Sequence, residues 1–288
     1  MKSAAIVGAG RLGTSLGLAL VRAGYRLPVL ADIDLRAARR ARRTIGRGTA
    51  TTDPARAAAE ADLLFLCVPD HAIAPTARAL ARSGVDWPGK IVFHTSGLTP
   101  ATALRPLKSK GASTASFHPV QSFPRAASPP SRFRNIFIGI EGDARAVAEA
   151  KTIIRALGAR PLALRGRNKT LYHAACSVAS NLAVPLFDLA CETLAKAGIP
   201  ASLTGDVLRP LVEGTLQAVK SLDRKNALTG PLARGDVATV RGHLQALKKV
   251  PRALRVYRLL GLQALALLEK RGRPREEITR LRALLEEK

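Results

Sequence analysis

Three glycines, Gly8, Gly10 and Gly13, stand at G-x-G-x-x-G spacing between the apolar run Ala4-Ala5-Ile6-Val7 and a stretch of helical periodicity. That spacing suits a pyrophosphate. The first glycine permits a tight strand-to-helix turn, the second lets backbone approach the phosphates, and the third lets helix and strand pack closely. The N–H groups at the helix start, through Arg11 and Leu12, then face the anion with the positive end of the helix dipole behind them. The same triplet also occurs as a purely structural turn. Here a strand pattern before it and a second strand pattern after it favour dinucleotide binding.

Asp32 follows the second strand pattern, about twenty residues past Gly13, where an acid would accept hydrogen bonds from a ribose 2′-hydroxyl. That favours NAD. Arg36, Arg39 and Arg40 lie one to two helical turns on and could instead receive the 2′-phosphate of NADP. A purely local role, with Asp32 or Asp34 capping the next helix, fits the same residues. The next apolar run ends in Leu66-Cys67-Val68-Pro69-Asp70. Pro69 stops the ladder and turns the chain across the expected cofactor path, so Val68 and Pro69 are cofactor-contact candidates and Asp70 a helix cap. Two further strand patterns end in polar groups, His94-Thr95-Ser96-Gly97 and Phe117-His118-Pro119. They deliver Ser96 and His118 to the edge where such folds bind ligands.

A later helix pattern carries Lys169, His173 and Ser177 at four-residue spacing, with Ser180 and Asn181 continuing the face among alanines and leucines. Polar groups buried without partners would cost about 1–3 kcal/mol each, a cost that a substrate cleft removes. A solvent-exposed stripe is the alternative. Lys169 could hold a carboxylate or polarise a carbonyl, and His118 or His173 could supply the proton that accompanies hydride transfer. Ser96, His118, Lys169, His173 and Asn181 are therefore the catalytic candidates. Arg234, in the turn-rich stretch Leu228–Asp236, either reaches an anionic substrate or pairs with Asp236.

The elements that must position these groups read as α/β followed by all-α. Strand patterns near Lys2–Val7, Arg26–Ala31, Asp62–Cys67, Lys90–His94, Ser113–Phe117, Asn135–Ile140 and Arg160–Leu164 alternate with helical ones, as in a doubly wound parallel sheet. The segment from His118 to Arg134 holds Pro119, Pro124, Pro129 and Pro130, has no periodicity, and reads as a long functional loop. Beyond Gly166 strand signals vanish. Amphipathic stretches follow over Lys169–Ala197, Ser202–Ser221, Val237–His243, Pro251–Lys270 and Arg275–Glu287. The expected division is residues 1–165 as a dinucleotide-binding Rossmann domain and 166–288 as a helical substrate and dimerisation domain.

The chain has 288 residues, 47% hydrophobic and 23% charged, with a formal net charge of +25. That charge raises nucleic-acid binding as a possibility. Its arginines are spread along polar helix faces, without an aromatic-studded sheet or recognition helix, so no nucleic-acid partner is expected. Cys67, Cys176 and Cys191 lack metal-ligand or disulfide spacing, and no metal is expected. No apolar run reaches the ~18 residues of a membrane span, and no leader pattern is visible, so a cytoplasmic protein with no membrane partner is expected.

In combination, GxGRLG at Gly8–Gly13, His94–Gly97, Phe117–Phe123, Tyr172–Asn181 and Thr229–Asp236 resemble the Rossmann-plus-helical-domain oxidoreductases of the 6-phosphogluconate dehydrogenase-like superfamily. Within it, the chain resembles a sparsely characterised family related to ketopantoate reductase, pyrroline-5-carboxylate reductase and prephenate dehydrogenase. The resemblance implies NAD or NADP as cofactor and a homodimer built through the helical domains. Ketopantoate reductases pair a lysine with an asparagine one turn later. Lys169 matches the lysine, whereas His173 stands at the next position and Asn181 two turns further. Ser96 and His118-Pro119 are similar to a serine and a His-Pro motif of prephenate dehydrogenases, which would set His118 against the reacting hydroxyl. The expected activity is hydride transfer between nicotinamide and a small, anionic carbonyl or hydroxyl compound, with a ketopantoate-like 2-oxoacid as one candidate. The alternative is a non-catalytic NAD(P)-binding regulator.

Overall fold

The computed structural model describes residues 2–287, which divide into two compact units, one extending through Ser180 and one beginning at Asn181. The first unit continues past residue 165. Its last helix, Lys169–Ala179, buries Lys169 against the strand ends of that unit, and this ties the helix to the sheet.

Eight strands form one sheet: β1 (Ala4–Val7), β2 (Val29–Ala31), β3 (Thr49–Thr51), β4 (Leu63–Leu66), β5 (Ile91–His94), β6 (Ser113–Pro119), β7 (Phe137–Gly142) and β8 (Arg160–Ala163). Their order is β3-β2-β1-β4-β5-β6-β7-β8. Helices α1 (Arg11–Arg22), α2 (Leu35–Ile45), α3 (Pro54–Ala59), α4 (Asp70–Ala81), α5 (Arg105–Lys108) and α6 (Ala144–Ala156) cover it, and α7 (Lys169–Ala179) follows. Residues of β1 and β4 are buried on both faces, which is why these strands are continuously apolar rather than alternating. Ile6, Phe65, Phe93 and Phe117 pack toward α1 and α6, while Ala5, Leu64 and Val92 pack toward α3 and α4.

The sheet is not wholly parallel. β7 runs antiparallel to β6, with His118 opposite Gly139. No crossover helix separates them: the proline-rich loop returns the chain at the edge it left, and a parallel partner would need a crossover. Crossover through α6 restores the parallel direction between β7 and β8. The loop is fastened by the Ser128 N–H, which donates to Ser15 Oγ at 2.9 Å, and by Phe133, buried against Phe123. The sequence reading lacks β3, whose Thr-Ala-Thr is short and half-exposed.

The second unit is helical: α8 (Ala183–Lys196), α9 (Ala201–Ser221), α10 (Arg224–Ala227), α11 (Pro231–Arg234), α12 (Val237–Leu247), α13 (Pro251–Arg271) and α14 (Arg275–Glu286). Val240, Leu265, Leu268, Leu281 and Leu285 form its core. Asp236 caps α12, accepting from the Thr239 N–H at 3.0 Å. The expected helix over 169–197 is two helices, broken at Ser180–Leu182. By length and composition Gly166–Lys196 is apolar enough to cross a membrane, contrary to the expectation that no stretch of the chain is.

Candidate functional site

The glycine turn is built by exclusion. Gly8 adopts φ +99°, and a Cβ there would lie 2.5 Å from the Cys67 carbonyl oxygen. At Gly13 a Cβ would stand 1.9 Å from the Gly8 carbonyl oxygen, so α1 reaches the end of β1 only with glycine at that position. Gly10 has nothing within 4 Å of a Cβ position, and no side chain caps α1. That leaves an open approach to the first N–H groups of a helix, the arrangement an anion uses. Asp32 braces the turn. Its Oδ2 accepts from the Ala9 N–H at 2.7 Å and its Oδ1 from the Asp34 N–H at 2.9 Å, while Asp34 is the residue that caps α2.

A cleft of about 590 Å³ runs from this turn along the carboxyl ends of β2, β4, β5 and β6. Gly8, Gly10, Leu12, Asp32, Val68, Pro69, Ser96, His118 and His173, all singled out in the sequence, line it. Arg11 is exposed on the first turn of α1 and does not line the cleft; Gly13 lies buried behind the turn. Asn181 is exposed at the start of the second unit and is not among the lining residues. Asp70 is the first residue of α4, and Pro69, not Asp70, occupies the cap position, with no side-chain capping bond. The proline holds an extended backbone there, and the helix starts one residue earlier than expected.

Lys169 sits beneath the lining, not in it. It is 1% exposed. Its Nζ donates to the Ser96 carbonyl oxygen at 3.0 Å and to Ser116 Oγ, with Glu141 Oε1 3.7 Å away. Burial lowers its pKa to about 8, against the opposing pull of Glu141. Glu141 also accepts the Ala101 N–H at 2.6 Å, so the pair clamps both ends of the loop that carries Ser96. Within that loop Ser96 Oγ accepts from the Leu98 and Thr99 N–H groups at 3.1 and 2.8 Å, and the His94 ring accepts the Ser96 N–H. With both acceptor positions of Ser96 occupied, its hydroxyl proton is free to donate into the cleft.

Above this floor His118 and His173 present their rings at a centroid separation of 6.0 Å. Burial first, then Lys169 and His173, lower the His118 pKa to about 4; burial, then Lys169, lowers that of buried His94 to about 3. Cys67, at the cleft wall, is held as the thiol, its pKa pushed up to about 12 by burial. Tyr172, Ser116, Glu141 and Gly97 were not candidates from sequence. Only Tyr172 and Gly97 carried any signal, as members of motifs whose polar neighbours drew the attention.

His94 and His118 give a pH prediction. Their folded pKa values lie below the ordinary 6.5, so they bind protons more readily in the unfolded chain. Stability contributed by their neutral forms is complete above about pH 6.5 and is lost as pH falls toward 4, by about 3 kcal/mol for His118 alone. Melting temperature measured by circular dichroism from pH 7.5 to 4 is expected to drop across that window, and less steeply in His118→Gln.

Residues 2–119 match a Rossmann-like domain, and residues 136–264 match the family described as a domain of unknown function, DUF2520. The chain joins a Rossmann-like domain to a DUF2520 domain. The DUF2520 match begins at the foot of β7, so that family's own strands and α7 complete the sheet edge on which His118 sits. Among solved structures, a candidate NADP oxidoreductase from Bacteroides fragilis is 26% identical, with a TM-score of 0.72 over 91% of this chain and 97% of that one. A protein from Thermotoga maritima is 24% identical, with a TM-score of 0.73 over 94% and 100%. Pyrroline-5-carboxylate reductase from Coxiella burnetii shares the fold at 17% identity, with a TM-score of 0.59 over 98% of each chain. No curated protein matches the sequence.

Proposed function

We propose that this DUF2520 protein is an NAD(P)-dependent oxidoreductase, with a nicotinamide dinucleotide laid along the cleft from the glycine turn toward Ser96, His118 and His173. The observation that carries this reading is the glycine cradle. Gly8 and Gly13 have no room for a Cβ, Gly10 leaves the start of α1 open, and Gly8 and Gly10 line the same cleft as two imidazoles and the Ser96 hydroxyl. The NADP oxidoreductase and the pyrroline-5-carboxylate reductase of the same fold support it. Gly10, Leu12 and the first N–H groups of α1 would receive the pyrophosphate, and Asp32 the adenosine ribose. The dinucleotide supplies the hydride when bound.

The chain's own groups divide the remaining work. Ser96 donates a hydrogen bond to the substrate oxygen, and His118 faces the reacting centre. Lys169 holds the Ser96 loop in place rather than touching substrate. Asp32 at the cleft edge favours NADH over NADPH, while exposed Arg36 and Arg39 on α2 stand where a 2′-phosphate would pull in the other direction. No lysine or arginine lines the cleft among the described residues. The carboxylate of a 2-oxoacid would therefore rest on Ser96 and the imidazoles. The test is oxidation of NADH and NADPH followed at the nicotinamide absorbance, with ketopantoate first, then other 2-oxoacids, imines and cyclohexadienols. Turnover of one class that His118→Ala abolishes supports the proposal. Tight nucleotide binding with no turnover of any class, and full biological activity in His118→Ala, would favour the regulator instead.

The proposal extends to a homodimer through the second unit. Only Thr204 is buried along α8 and α9, while Val184, Leu203, Val207, Leu211 and Leu216 are each at least half exposed. Large exposed apolar side chains on two adjoining helices suit an interaction surface, and a second copy presenting the same face is the occupant proposed. Sedimentation is expected to give twice the 30.5 kDa chain mass. Leu211→Asp with Leu216→Asp is expected to shift the protein to monomer; a wild-type monomer at micromolar concentration contradicts the dimer.

A further inference from the structure

We infer that Tyr172 is a further functional residue of the proposed hydride-transfer site: its hydroxyl donates to Nδ1 of His118, sets the proton on Nε2 facing the cleft, and relays a proton to it during reaction.

Three elements make room for this pair. Tyr172 OH lies 2.8 Å from His118 Nδ1, with the rings edge to face at 86°. On β7 the cross-strand partner of His118 is Gly139, where a Cβ would stand 2.9 Å from Tyr172 OH and 2.7 Å from Leu164 Cδ1. At the cleft rim Gly97 would bring a Cβ within 2.8 Å of His118 Nε2 and 2.6 Å of His173 Cδ2. Glycine at both places thus lets the imidazole lie between a hydroxyl on Nδ1 and the cleft on its Nε2 edge. The two nitrogens of a neutral imidazole divide donor and acceptor roles, so a donor fixed on one side decides the role of the other.

The surroundings require a relay rather than a stored proton. His118 is faced by Lys169, Tyr172 and His173 from α7 and lies near His94 of β5. Burial and the Lys169 charge disfavour the imidazolium, so His118 cannot wait as a charged acid at neutral pH. Burial also raises the Tyr172 pKa, which keeps its hydroxyl protonated as a donor. With the hydride supplied by a bound dinucleotide, the substrate's carbonyl oxygen would take the Nε2 proton of His118. Nδ1 takes the Tyr172 hydroxyl proton at the same time, and after product leaves, water in the cleft protonates Nε2 while Nδ1 returns its proton to the tyrosine oxygen, restoring the starting tautomer. The net change is one hydride and one proton added across the C=O bond, with His118 neutral throughout.

The relay rests on the oxidoreductase reading, but the tautomer does not, so the two fail separately. The chain has five histidines, which single His→Gln variants assign in nitrogen-15 NMR spectra of the nucleotide-free protein. Wild type at pH 7 is expected to show His118 as the Nε2–H tautomer, and Tyr172→Phe a mixture of both tautomers at an unchanged melting temperature. An Nδ1–H tautomer in wild type, or an identical tautomer in Tyr172→Phe, overturns the inference even if nucleotides bind. Once a substrate is found, Tyr172→Phe is expected to lower kcat on the order of tenfold or more, with KM little changed and a diminished solvent isotope effect. Equal effects on kcat and KM, with the isotope effect intact, would leave Tyr172 a packing residue and overturn the relay.

Discussion

Gly13→Ala is expected to abolish nucleotide binding and to destabilise the first unit at once. The new methyl would lie 1.9 Å from the Gly8 carbonyl oxygen and 3.1 Å from Ile6 Cγ2. A backbone oxygen cannot swing aside as a long side chain can, so α1 must retreat from β1. Overpacking of this kind costs about 1–3 kcal/mol and sometimes more. Retreat also moves the first-turn N–H groups away from the phosphates, so the dissociation constants for NADH and NADPH are expected to rise at least 100-fold. Gly10→Ala is the informative contrast. A methyl there meets nothing in the protein and φ is an ordinary −74°. Melting temperature should stay within a degree or two of wild type while affinity still falls, because the methyl enters the phosphate path. Equal losses of stability in both variants would show that the turn is structural and not a cradle.

Lys169→Ala is expected to unfold or severely destabilise the protein rather than merely slow a reaction. Removing one partner of a buried ion pair costs about 3–5 kcal/mol, because the charge left behind is uncompensated. Here the loss is compounded. Glu141 would keep the Ala101 N–H but lose its cation, and the Ser96 carbonyl and Ser116 hydroxyl would each lose a donor. Lys169→Met with Glu141→Gln, which removes both charges and keeps the volume, should recover most of the stability. Denaturant unfolding of the three proteins checks this. A Lys169→Ala chain as stable as wild type would mean that the amine is free for substrate, as the sequence alone had suggested.

What the sequence made legible divides along physical lines. The glycine turn, the strand ends and the two-part architecture were readable because each leaves a local signature: a spacing, a proline stop, a change of period. Gly139 and Tyr172 were not. Their roles arise from cross-strand register and from a helix docked onto the sheet, and neither is encoded within a few residues of chain. Lys169 shows the limit most plainly. Its spacing from His173 correctly placed both on one helix, but whether an amine points into a cleft or beneath it depends on Glu141 and Ser116, residues distant in sequence. The antiparallel β7 escaped for a related reason. A strand pattern carries no direction, and only the missing crossover helix between residues 119 and 137 hinted at it. Residue 165 as a boundary followed the loss of strand signal, while the packing groups α7 with the sheet because its buried lysine binds there.

The most direct measurement is calorimetric titration of NADH and of NADPH into the purified full chain. The account predicts saturable binding of one dinucleotide per chain with a dissociation constant well below about 1 mM, NADH the tighter, and binding lost in Gly10→Ala and Gly13→Ala. Absence of saturable binding for both nucleotides by a folded wild-type protein would contradict it.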